Sequence, residues 1–70
     1  MELEYGAEVV DKNGKTLGTV GQIIRDSWTG EISKFMVRSE TEGNLFFPAQ
    51  DVLEATNTRV QLKISSNKNA

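Results

Sequence analysis

The chain has no His and no Cys. Neither a Ser-His-Asp nor a Cys-His nucleophile arrangement can be assembled from it. Carboxylates are left for acid–base work. Glu40 and Glu42 stand two apart but adjoin Gly43 in a polar stretch, and a solvated turn explains them better than a paired acid and base. Asp11-Lys12-Asn13-Gly14 echoes the opening of a calcium loop. Gly14 comes one ligand too early for that motif, and the twelfth position from Asp11 is Gln22 rather than Glu, so a hairpin turn is favoured. Gly14, Gly18 and Gly21 resemble a phosphate cradle, but no helical pattern follows to supply the N-terminus a cradle needs. No catalytic residue, no metal and no cofactor is expected.

Binding chemistry is better represented. Trp28 stands in a turn between two strong strands, and Trp is enriched at protein–protein hot spots. The bland alternative, favoured in so small a chain, is that its ring folds over the barrel end and closes the core. Phe46 and Phe47 are neighbours and must point to opposite faces of a strand. One is core; the other is exposed, self-covered or set against a partner. Met36 poses the same question beside Phe35. Trp28, Met36, Phe46 and Phe47 are therefore the candidate interface residues.

Size and charge narrow the classes. Seventy residues make one domain. Eight basic and ten acidic side chains give a net charge of −2, with no basic run, which makes nucleic acid an unlikely partner. A small secreted domain often needs disulfide staples, so a cysteine-free one fits the cytoplasm. No apolar stretch approaches the ~20 residues of a membrane helix, and the acidic start Met1-Glu2-Leu3-Glu4 is unlike a signal peptide.

Glycine turns separate β-prone runs along the chain. Residues 1–4 read as an acidic lead, residues 5–64 as the domain and residues 65–70 as a flexible polar tail. Ala7–Asp11 is a first strand, closed by the Asn13-Gly14 turn. Thr16–Asp26 is a long second strand whose alternation slips at Gly18 and Gly21, as bulges would make it do. Glu31–Ser39 is a third, with Phe35 and Val37 on one face and Ile32 and Met36 on the other. Asn44–Phe47 is stopped by Pro48, after which one helical turn and a short strand at Val52–Ala55 follow. Arg59–Ile64 alternates cleanly, with Val60, Leu62 and Ile64 predicted inside and Arg59, Gln61 and Lys63 outside. Gly14, Gly30 or both are predicted to take positive φ. The fold class is all-β: a small, partly open antiparallel barrel of five or six short strands.

In this order the residues resemble a PRC-barrel domain. The similarity runs through Gly6-x-x-Val9, Asp11-x-x-Gly14-x-x-x-Gly18-x-Val20 and Asp26. It continues through Phe35-Met36-Val37, Phe47-Pro48-Ala49, Val52 and Val60-x-Leu62, and covers about Tyr5 to Ile64. The resemblance implies a six-stranded, partly open barrel used as an adaptor, with no shared catalytic residues to carry over. The expected function is thus a non-catalytic protein-interaction module. A small-molecule sensor binding at the barrel mouth is the alternative, and a weak nucleic-acid binder using Arg25, Lys34 and Arg38 a third. A symmetric homodimer is expected as well, because large apolar groups on both strand faces need cover.

Overall fold

The computed structural model describes residues 3–65. Six strands form one mixed sheet curled into a half-barrel: β1 (Glu8–Val10), β2 (Thr16–Arg25), β3 (Ile32–Ser39), β4 (Gly43–Pro48), β5 (Val52–Ala55) and β6 (Arg59–Leu62). A single 3₁₀ turn, Ala49–Asp51, follows Pro48. The sheet order is β4-β3-β2-β1-β6-β5. Among the described residues no helix is long and apolar enough to cross a membrane.

The inner face follows from period-two geometry. Val9, Phe35, Val37, Val60 and Leu62 are completely buried, and Leu17 and Val20 join them. The half-buried Ile23, Ile32, Leu45, Phe47, Val52 and Ala55 complete this core. Leu3 also belongs to it, so the acidic lead contributes an anchor that the domain start at residue 5 leaves out. The tail beyond Ser65 lies outside the described residues.

Both slips expected in β2 are bulges. Opposite β1, Leu17 is the extra residue beside Gly18; opposite β3, it is Gly21. Each glycine answers a close approach. A Cβ on Gly18, at φ 154°, would lie 2.2 Å from the Arg38 carbonyl oxygen. A Cβ on Gly21 would lie 2.7 Å from the Met36 Cε. Two bulges bend β2 and let the sheet curl. Gly14 (φ 86°) and Gly30 (φ 76°) take the positive φ predicted for their turns.

Three sequence expectations are corrected. The sheet is not wholly antiparallel, because β1 and β6 run parallel, Glu8 beside Arg59 and Val9 beside Val60. The Thr56–Thr58 turn sets β6 antiparallel to β5, and its other side then meets β1 in the same direction. Strand β6 stops at Leu62, and Ile64 is 36% exposed. The chain leaves the ladder there: Lys63 N–H donates to the Asp51 carbonyl (2.8 Å), and Lys12 N–H donates to the Ile64 carbonyl (2.9 Å). Ile32 does not share a face with Met36. A register slip at Ser33 turns Ile32 inward against the core.

Candidate protein-interaction surface

The β2–β3 turn is organised by Asp26. Its carboxylate Oδ1 accepts from Trp28 N–H (2.7 Å) and Thr29 N–H (3.2 Å). Its backbone closes the turn twice, donating to the Glu31 carbonyl (2.8 Å) and accepting from Gly30 N–H (2.8 Å). The Arg25 guanidinium donates to the Gly30 carbonyl (2.8 Å), and Thr29 Oγ1 accepts from Glu31 N–H (3.1 Å). An Asp that accepts from the amide two residues on makes a turn of its own and tolerates little rearrangement. At the tip stands Trp28, 94% exposed. This corrects the expectation that its ring folds over the barrel end. The hydrogen bonds hold its backbone out in solvent, away from the core.

The remaining candidates separate by face. Phe47 turns inward and packs on Phe35 with ring centroids 6.0 Å apart, so it is a core residue. Phe46 turns outward and is 55% exposed. Met36 also lies on the outer side, yet it is only 6% exposed. Its methyl folds into the notch left by Gly21, beside the Arg38 guanidinium. The chain covers Met36 by itself. Trp28 and Phe46 are the two candidates that reach solvent.

Strand register assembles the rest of the outer face. Cross-strand partners share a face. Three rows result across β2, β3 and β4: Thr19, Arg38 and Asn44; Gln22, Met36 and Phe46; Ile24, Lys34 and Pro48. These nine residues include two cations and none of the ten acids. Lys34 Nζ sits 5.9 Å from the Phe46 ring centroid, a cation–π contact that leans the amine across β4. Glu8 borders the face on the far side of β2 from Arg38, where its Oε2 accepts from the Thr16 hydroxyl (2.9 Å). Among the described residues no strand lies beyond β4, so its outer edge is open there.

Two of the remaining chemistry candidates sit in hairpin turns. Asp11 is 2% exposed, and its Oδ1 accepts from Asn13 N–H and Lys15 N–H, each at 2.9 Å. The loop that echoed a calcium site is a hairpin built on that carboxylate. Glu42 lies in the β3–β4 turn and donates its N–H to Ser39 Oγ (3.1 Å). Among the described residues no group of three or more His, Cys, Asp or Glu is placed to hold a metal ion. An open hollow of ≈ 520 Å³ lies where the Trp28 turn meets the 3₁₀ turn, lined by Arg25, Gly30, Glu31, Ile32, Ala49 and Gln50.

The turn-organising role of Asp26 does have a sequence signal: Asp stands a few residues before a turn glycine twice, at Asp11…Gly14 and Asp26…Gly30. The Lys34–Phe46 pairing had none, because cross-strand register is not written in either strand alone. No protein-family model matches the chain. No curated protein matches it either.

Proposed function

We propose that this chain is a PRC-barrel-type module acting as a non-catalytic adaptor in the cytoplasm, with Trp28 as the anchor that enters a protein partner. The six-stranded half-barrel and the 3₁₀ turn after Pro48 support the resemblance, and the absence of Cys supports the compartment. One observation carries the binding role: Trp28 is 94% exposed on a turn held by six hydrogen bonds. A ring of that size left in water is a large unspent burial, on the order of 2–3 kcal/mol. Presenting it on a pre-formed turn avoids the ordering cost of a floppy loop.

The test compares what wild type and Trp28→Ala retain from a lysate of the source cells, with both proteins shown to be folded by circular dichroism. A partner held by wild type and released by Trp28→Ala supports the adaptor role. Identical retention by both overturns Trp28 as the anchor. Self-association is the competing explanation for an exposed aromatic, and Phe46 favours it. Analytical ultracentrifugation near 100 μM, on the order of the Kd of a modest interface, decides it: a dimer that Phe46→Ala dissolves supports self-association, and a monomeric mass rejects it.

A further inference from the structure

The open edge of β4 and the cationic outer face beside it meet at Phe46. We infer that this edge accepts an extended segment of a partner protein whose alternate residues read acidic, apolar, acidic. It rests on the adaptor role proposed above only in taking the occupant to be protein.

The backbone supplies the first half. Strand β4 pairs with β3 in unbroken register from Ser39↔Gly43 to Lys34↔Pro48. Among the described residues its other side faces no strand. The opposite edge, β5, has four residues and a register slip between Val52 and Glu54. A straight open edge is a template for strand addition, and a short bulged one is not. Pro48 removes a donor only at the end of β4.

Side chains supply the second half. A strand added to β4 places alternate residues beside Asn44, Phe46 and Pro48 on the outer side. The residue beside Phe46 meets an exposed ring, which asks for an apolar partner. The residues on either side of it fall in the rows of Arg38 and Lys34, about 10 Å from β3 at two strand spacings. Long basic side chains cover most of that span, and Lys34 already leans over Phe46. Carboxylates in those two rows match the cations. A second copy of β4 would bring Asn44, Phe46 and Pro48, and so would leave Lys34 and Arg38 without an opposite charge. A nucleic-acid strand would meet one exposed aromatic and two cations, fewer than a stacking groove normally offers.

Synthetic capped peptides test this directly. One carries Glu, Val and Glu at alternate positions among Thr residues; a second carries Lys in place of both Glu. Binding to the full chain is read by fluorescence anisotropy at low salt, and its location by amide shifts in nuclear magnetic resonance. The acidic peptide should bind about tenfold tighter, because two exposed charge pairs change from attraction to repulsion. The amides of Gly43–Phe47 should shift, and the exposed double variant Lys34→Glu/Arg38→Glu should reverse the preference. Equal affinity for both peptides, no binding up to about 1 mM, or shifts confined to other strands overturns the inference. Tighter binding of oligo-dT than of the acidic peptide overturns it in favour of nucleic acid. A dimer that buries β4 overturns it in favour of a second copy. None of these readouts uses Trp28, so loss of the peptide site leaves the lysate comparison with Trp28→Ala standing, and the reverse also holds.

Discussion

Two turns in this protein are built on the same plan and used for opposite ends. Asp11 opens one and Asp26 the other, and each carboxylate accepts from the amide two residues on. Each turn carries a glycine at positive φ. The Asp11 carboxylate is buried, and its turn is tied to the segment after β6 through Lys12 N–H and the Ile64 carbonyl. Its tip residues, Lys12 to Lys15, are polar and exposed. Among the described residues the Asp26 turn bonds within itself, and it carries an exposed Trp. One Asp joins parts of the fold; the other displays a side chain. The same local chemistry ties the fold together where the carboxylate is buried and presents a side chain to solvent where it is exposed.

The largest test of that contrast is Asp11→Ala. It removes a buried carboxylate that accepts from two amides, and should lower stability by about 2 kcal/mol in urea unfolding. A loss under 1 kcal/mol would erase the distinction. Next come the glycines. Gly14→Ala and Gly30→Ala meet the same backbone demand with open space around the new methyl, so each should cost about 1 kcal/mol, and unequal costs would show that the two backbones differ in strain. Asp26→Ala should cost only about 0.5–1 kcal/mol, since its amides can turn to water. It should nonetheless speed hydrogen exchange at Trp28 and Thr29, whose N–H groups it holds. The smallest effect is Trp28→Ala, within about 0.5 kcal/mol of wild type. Fluorescence provides a companion check. As the single Trp, and 94% exposed, Trp28 should emit at nearly the same wavelength in folded and urea-unfolded protein. A blue-shifted native emission would return the ring to the core.

Much of the fold could be read from residue order, because strands and turns are local. Asn13-Gly14, the slips at Gly18 and Gly21, and the opposed rings of Phe46 and Phe47 each follow from a few neighbouring residues. What escaped was non-local. The direction of β6 against β1 depends on which edge is free when the chain returns, and no run of six residues encodes that. Ile64 continues a perfect alternation, but Lys63 is claimed by the Asp51 carbonyl and the ladder ends early. Ile32 was misplaced by one extra residue, Ser33, in an otherwise regular strand. Of the surface, the outward position of Phe46 or Phe47 was legible and the cover over Met36 was not, since that cover comes from a notch at Gly21 on a different strand.

The parallel pairing of β1 with β6 also dictates an order of events. Glu8 finds its neighbour at Arg59, fifty-one positions later. The hairpins of β2, β3 and β4 can assemble as they emerge from the ribosome, whereas β1 keeps an unpaired side until β6 is made. Closing so long a loop is slow compared with zipping a hairpin. During that wait the incomplete sheet shows two open edges, β1 and β4, and only one of them is covered when synthesis reaches Leu62. A stall or cleavage before that residue would therefore release a chain with its middle strand bare, the form most prone to pair with other chains.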